Sequence, residues 1–301
     1  MSGPETVTAR PKLSIVVASY NSAATLQLCL ESLEAQLGPQ DEIIVADCSD
    51  RDPREQFTRP FDRVRFLRFD QRCSIPELRR EAIKFTTGEI LLLTEGRVVP
   101  SKLWAASLSE AHTTDPKAPA FGGPIDSNPA APFDEAVFFC EYGLHMPPTP
   151  EGATRELSGA NLSYKGWAVD LCRDLLDNAA WEPFWHRRLE HLGYQLQRAP
   201  EALVEYHNSL TPGQFVRQRF HYGRWFAAER VRGPRRLLYA AFCPVLPLLL
   251  TWRLGRLAFS RGRAGRYLRA LPWILPFQMF WALGEFCGYL AGRGNSHRKV
   301  F

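Results

Sequence analysis

The apolar positions of the first hundred residues fall into short continuous runs separated by stretches of helical spacing. Leu13–Ala18 (LSIVVA), DEIIVAD, VRFLRF and Glu89–Leu93 are the runs, and their β-branched or unbroken apolar character predicts buried strands. Between the first two, SYNSAATLQLCLESLEAQ places Ala24 or Thr25, Leu28 and Leu33 on one helical face, with Leu30 and Leu37 close by. SIPELRREAIKFTTG predicts a second helix, ending at Gly88, where glycine suits a C-cap. Strands alternating with helices predict an α/β fold with a mainly parallel sheet. Ligands of such sheets sit beyond the carboxyl ends of the strands, and Asn21, Asp47 and Glu95 all fall at that edge.

Further along, the pattern weakens and then changes character. The stretch from Ala120 to Gly166 is rich in Gly and Pro and predicts short strands with a long loop over one side of the sheet. AAWEPFWHRRLEHLGYQLQRAPEALVEYHN predicts a helix, a turn at Gly193 and a strand. Two long apolar runs follow, Leu237–Trp252 broken by Pro244 and Pro247, and Leu268–Leu290 carrying Pro272, Pro276 and Glu285. The organisation expected is a flexible terminus over 1–11, an α/β domain over 12–230, and a basic, apolar helical segment over 231–301.

Charge sharpens that last boundary. The chain's net +5 averages two unlike parts. Residues 209–301 hold 16 Lys and Arg against two acids, a net of +14, whereas the first 208 residues are at −9. A basic tail implies an anionic partner, and the two apolar runs favour membrane headgroups over nucleic acid. Two full spans would put the connector's arginines (253, 256, 261, 263, 266 and 269) on the far side, against the positive-inside tendency. A hairpin lying in the cytoplasmic face keeps every basic cluster against lipid, and is the arrangement expected. The competing arrangements are two spans, or two ordinary core helices. Seven scattered cysteines with no CxxC pair argue against a disulfide framework or a zinc site. The opening MSGPETVTARP lacks the basic and apolar regions of a signal peptide.

Candidate chemistry concentrates where the fourth strand run ends. GEILLLTEGRVVP passes from a core strand straight into Thr94, Glu95, Gly96 and Arg97, an acid and a base flanking a glycine. Taken in order, LSIVVASYNSAATLQLCLESLEAQ, DEIIVADCSD, IPELRREAI with GEILLLTEG, GANLSYK, WEPFWHRRLEHLGYQL and RQRFHYGRW resemble the family 2 glycosyltransferases. The likeness covers about Leu13 to Trp225, and the apolar tail with WALGEFCGYLAG is similar to the membrane-associated hairpin of many bacterial members.

The resemblance implies a GT-A fold, a nucleotide-diphosphate sugar as co-substrate, and transfer to a lipid-linked or glycan hydroxyl at the cytoplasmic side of the inner membrane. It implies that Ala18, Tyr20, Asn21 and Asp47, with Asp50 beside them, hold the nucleoside, and that Arg79 lies near the donor. As a residue read by itself, Asp47 also suits an Asx turn, and Arg79 a solvated helix face with Glu77 and Arg80. TEGR stands where the family carries Asp-x-Asp, the pair that chelates Mg²⁺ or Mn²⁺. Glu95 keeps one carboxylate, but Arg97 replaces the other. Hard cations want several oxygens, so Glu95 alone is a weak metal ligand, whereas a guanidinium pairs with phosphate directly. Arg97 is therefore expected to stabilise the leaving diphosphate. Glu182, eleven residues ahead of Gly193, occupies the family's base position, with Trp181 in place of the preceding acid. Gly159, Ala160 and Asn161 match the acceptor-side loop, and Arg217 and Arg219 are further candidates for the diphosphate or the acceptor. His207 and His221 are expected to be structural, and His145 has no evident partner. An inactive scaffold of the same fold is the alternative; the carboxylates kept at 95 and 182 favour the enzyme.

Overall fold

The computed structural model describes residues 10–129, 131–231 and 233–299. Most of the expected flexible terminus (1–9) and Arg232 lie outside the described residues. The described residues form eleven strands: β1 Leu13–Ser19, β2 Glu42–Asp47, β3 Val64–Arg68, β4 Ile90–Glu95, β5 Val98–Pro100, β6 Ala120–Gly122, β7 Ile125–Ser127, β8 Gly152–Thr154, β9 Asn161–Lys165, β10 Leu196–Arg198 and β11 Val204–Tyr206. The large sheet runs β3-β2-β1-β4-β9-β6-β10-β8, and β5-β11-β7 form a smaller one. β1, β2, β3 and β4 pair in parallel, while β9 runs antiparallel between β4 and β6. The fold is a mixed, mainly parallel α/β sheet flanked by helices.

β1 lies at the centre of the parallel half and is buried throughout. Its alternate side chains feed two cores, as the period of two requires. Ile15 and Val17 pack with Leu26, Leu30 and Leu33 of the helix Ala23–Glu34; Val16 and Ala18 pack with Leu78 and Ala82 of the helix Ile75–Ile83. The first helix turns differently from the expectation: Leu26, Cys29, Leu30 and Leu33 make the buried face and Leu28 faces solvent. The second starts at a capping box between Ser74 and Glu77 and stops at Ile83, so Gly88 is not its C-cap. A Cβ at Gly88 would lie 2.6 Å from Ser14 N; glycine lets the chain cross the start of β1 at that point.

The Gly- and Pro-rich middle contains a helix that the pattern did not reveal, Pro132–Tyr142. Pro132 near its start and Asp134 and Glu135 in its first turn are ordinary start signals, masked by the surrounding turn residues. This helix delivers Glu141 and Tyr142 to the centre of the molecule.

The tail folds as helices Arg235–Phe242, Leu246–Ser260 and Ala264–Ala291. The longest packs along the helix Pro212–Arg230 at very close range: a Cβ on Gly284 would meet Phe220 O at 2.1 Å, and one on Gly288 would meet Arg224 O at 2.3 Å. Arg224 donates to Gly292 O and Arg236 to Tyr289 O, closing carbonyls at that helix's end. Three connector arginines do not face lipid as expected. Arg263 pairs with Asp126 at 2.6 Å, Arg266 with Glu135 at 2.7 Å, and Arg261 donates to the carbonyls of Leu144 and Met146. They fasten the tail to the sheet domain, because the negative first part supplies the acids that the tail lacks. Arg253, Arg256 and Arg269 stay exposed. The outer faces carry an apolar belt that includes Leu237, Leu238, Phe242, Leu248, Trp252 and Phe259. Among the described residues one helical run, Arg235–Ser260, is by length and composition apolar enough to cross a membrane, and 17% of its apolar window is buried.

Candidate active site

Register places the site. Ala18 on β1 lies opposite Glu95 on β4, and Ser19 lies opposite Asp47 on β2, so the ends of three parallel strands meet at one rim. A recess there is lined by Ser19, Tyr20, Ser22, Glu95, Gly96 and Arg97. The loops after β1 and β2 are tied by reciprocal bonds, Asn21 Nδ2 to Asp50 Oδ2 at 2.8 Å and Asp50 N to Asn21 Oδ1 at 3.0 Å. Asn21 adopts a φ of 47°, a left-handed conformation that asparagine tolerates better than most residues. Arg72 lies over the Tyr20 ring, 4.9 Å from its centroid.

Asp47 is fully enclosed and occupied. Ser49 N donates to Oδ1 at 3.0 Å and Ser49 Oγ to Oδ2 at 2.7 Å, and Arg68 pairs with the same carboxylate. The Asx geometry read from the sequence is present, and a ligand would meet Asp47 only through displacement of Arg68.

Around Glu95 lies a buried cluster of opposed charges. Arg79, 2% exposed, is not on a solvated face with Arg80. Its Nη1 donates to Glu182 Oε1, and its Nη2 donates to Gly159 O at 2.7 Å and Glu95 Oε1 at 3.4 Å. Glu95 Oε2 accepts from Tyr142 at 3.3 Å. Glu182 Oε2 accepts no hydrogen bond among the described residues. Glu182 also begins the helix Glu182–His191 with Pro183 behind it, a helix-start position that suits an acid.

Arg97 contrasts with Arg79. It is 9% exposed, yet among the described residues no carboxylate comes within ion-pair distance of it. Burial opposes its charge, but Tyr206, Tyr142, Glu95 and Glu141 around it outweigh that and raise its pKa further above the ordinary arginine range. A buried guanidinium without a counter-ion, opening on the recess, is a ready site for an anion. Glu141 is pushed upward by burial, with Arg219 and Arg97 opposing the shift.

Other sequence expectations need correction. Asn161 is completely enclosed: its Nδ2 donates to Pro124 O and Ala202 O, and its Oδ1 accepts from Trp104 Nε1 at 2.7 Å. Every amide atom is used inside the protein, so Asn161 braces the loop. Ala160 is buried, its carbonyl bonded to Thr94. Arg219 is buried against Glu141 at 3.4 Å and Gln278 at 3.0 Å, and Arg217 points to solvent; neither joins Arg97. His207 pairs with Glu205 while its backbone N–H donates to Arg97 O at 2.9 Å, and His221 bonds Ser296.

Gly159 has no room for a side chain. A Cβ there would lie 2.6 Å from Arg79 Nη1 and 3.0 Å from Glu182 Oε2. Gly159→Ala is therefore expected to displace the Arg79–Glu182 pair, to lower turnover by about tenfold or more, and to lower the melting temperature as well. Unaltered turnover would contradict this geometry.

A metal fits the rim poorly. Among the described residues no group of three or more His, Cys, Asp or Glu converges. Glu95 already accepts from Arg79 and Tyr142, with a second guanidinium two residues away, and a divalent ion wants several free oxygens.

The family description Glycosyl transferase family 2 matches residues 14–134, the stretch containing β1 to β7 and the rim. Glycosyltransferase AglE of Haloferax volcanii is 27% identical over 100 residues, 31% of this chain and 33% of that protein, so the match spans about a third of the curated relative. Among solved structures, the Pyrobaculum calidifontis mannosyltransferase PcManGT, in complex with GDP-Man and Mn²⁺, superposes with a TM-score of 0.56 at 18% identity, over 94% of this chain and 88% of that one. GalNAc-T7 with UDP, GalNAc and Mn²⁺ gives 0.52 at 15% identity, over 66% and 44%. Both share the sheet architecture described above. The segment that forms the rim is thus the part of this chain that is similar to glycosyl transferase family 2.

Proposed function

We propose that the chain is an inverting glycosyltransferase that moves a sugar from a nucleoside-diphosphate donor to a hydroxyl of a lipid-linked or glycan acceptor at a membrane surface. One observation carries this reading: within a single buried cluster Arg79 is consumed by carboxylates, while Arg97 and Glu182 Oε2 are left with open valences. The nucleoside lies against Tyr20, Asn21 and Asp50, and the diphosphate against Arg97. Glu182 Oε2 takes the proton of the acceptor hydroxyl. The acceptor oxygen bonds to the anomeric carbon from the face opposite the diphosphate. The anomeric C–O bond to phosphate breaks, and its electron pair leaves on the diphosphate, whose growing charge Arg97 receives. Arg79 does not meet the donor; it holds Glu182 and Glu95 in place. Release of nucleoside diphosphate across a panel of UDP- and GDP-sugars tests the reading: saturable release with one donor class supports it, and none with any donor refutes it.

The exposed apolar belt and Arg253, Arg256 and Arg269 favour attachment along a bilayer surface, with the sheet domain on the cytoplasmic side. Replacing Leu238, Leu248 and Trp252 together by Asp is expected to weaken sedimentation with anionic lipid vesicles by about tenfold or more. Equal sedimentation of both proteins would contradict the attachment.

A further inference from the structure

An aromatic group adjoins Glu182 that the chemistry above does not use. Trp181, immediately before the base, stacks on Tyr222 with ring centroids 5.7 Å apart and planes 26° from parallel. Trp225 meets both, at 5.9 and 6.0 Å, and Trp281 of the tail meets Tyr222 edge-on at 5.2 Å. Rings gathered like this inside a core are enclosed, but Trp181, Tyr222 and Trp281 all keep partial exposure. Tyr222 has a second distinguishing feature. Among the described residues its hydroxyl has no hydrogen-bond partner, although it stands in the field of Glu141, Glu182 and Glu95. Burial first, and then Glu141 and Glu182, keep that phenol protonated. Because Trp181, which precedes Glu182 in the chain, stacks on Tyr222, a phenol with a free donor and a carboxylate with a free acceptor border one aromatic patch, a setting for a third hydroxyl.

We propose that Trp181 and Tyr222 form the acceptor subsite and take a pyranose ring, its C–H face against the exposed part of the indole and its reactive hydroxyl between Tyr222 Oη and Glu182. The inference deepens the transferase reading and rests on it. A sugar ring is the fitting occupant because it offers an apolar face and a hydroxyl rim together, matching rings that border a polar cluster. A bare lipid phosphate would instead want cations, and Arg79 beside Glu182 is already spent on carboxylates. The patch continues through Trp281 to Phe226, 5.7 Å away, and the tail helix bearing Trp281 exposes Met279, Phe280 and Leu283. An apolar chain attached to that sugar thus has a path along the tail.

The test uses the full chain in nucleoside-diphosphate release, with the donor identified above. Short alkyl β-glycosides, below micelle-forming concentrations, are titrated against matched alkyl phosphates. Glycosides are expected to change the release rate saturably, and phosphates are not. Tyr222→Phe should raise the half-saturating glycoside concentration about tenfold, the worth of one hydrogen bond to a polar partner. Trp181→Ala should raise it at least as far, and Trp181→Phe should recover most of the loss. Binding of the free nucleoside diphosphate, measured calorimetrically, checks that each variant is folded. The proposal falls if no glycoside affects the wild-type chain, if half-saturation is the same in all variants, or if only the alkyl phosphates act. Failure of the wild-type chain to release nucleotide from any donor is a different result and refutes the transferase reading itself.

Discussion

Glu182→Gln is expected to lower sugar transfer by about 10²- to 10⁴-fold while nucleoside diphosphate still binds. Glutamine keeps the shape of the side chain, and its amide oxygen can still accept from Arg79 Nη1. What disappears is the lone pair that takes the proton, at the oxygen that nothing else in the site occupies. Glu182→Ala is a harsher change. It strips a counter-ion from Arg79, and breaking one partner of a buried pair costs about 3–5 kcal/mol. The glutamine variant therefore separates chemistry from folding, and the alanine variant does not. Transfer by Glu182→Gln at near wild-type rate, measured as product per minute at saturating donor, would place the base elsewhere.

The second large effect belongs to Arg97. Arg97→Ala should reduce turnover by about 10²- to 10³-fold, the usual cost of removing one preorganised group that meets developing negative charge. Arg97→Lys should restore little, because an ammonium lacks the planar fork that grips two phosphate oxygens. Neither change is expected to move the melting temperature greatly. Arg97 holds no carboxylate within ion-pair distance, and Glu95 retains Arg79 and Tyr142 when it is gone. The same substitution at Arg79 would undo two carboxylate contacts and the bond to Gly159 O, and loss of fold is the expected outcome there. Activity lost at constant stability marks Arg97 as a binding group; wild-type turnover in Arg97→Ala would remove it from the chemistry.

The parallel half of the sheet was legible in the sequence because continuous apolar runs leave few other choices. LSIVVA, DEIIVAD and ILLL could only be buried strands, and from them the rim with Asn21, Asp47 and Glu95 followed. The pairing of Arg79 with Glu182, 103 residues away, was not legible. Local pattern shows that Arg79 lies on a helix, but only tertiary packing shows which face of that helix is closed. Asn161 illustrates another limit: the resemblance of Gly159, Ala160 and Asn161 to an acceptor-side loop marks it as a contact residue, and only the fold shows that three internal hydrogen bonds make it a brace. Glu141 and Tyr142 were hidden because turn residues obscured the start of their helix. Tyr222 was hidden because an aromatic residue on a long helix reads as core. The tail's composition predicts a membrane-associated hairpin; its outer faces carry exposed apolar residues, yet Arg261, Arg263 and Arg266 found partners on the sheet domain that charge counting assigns to lipid.

Whether the rim works through a guanidinium or through a chelated cation is decided by donor turnover in excess EDTA, followed by titration with Mn²⁺ and Mg²⁺. A diphosphate gripped by Arg97 predicts turnover that EDTA leaves essentially unchanged, with at most a small gain on adding either ion. Turnover that drops to background in EDTA and returns only with Mn²⁺ or Mg²⁺ would contradict the assignment of Arg97.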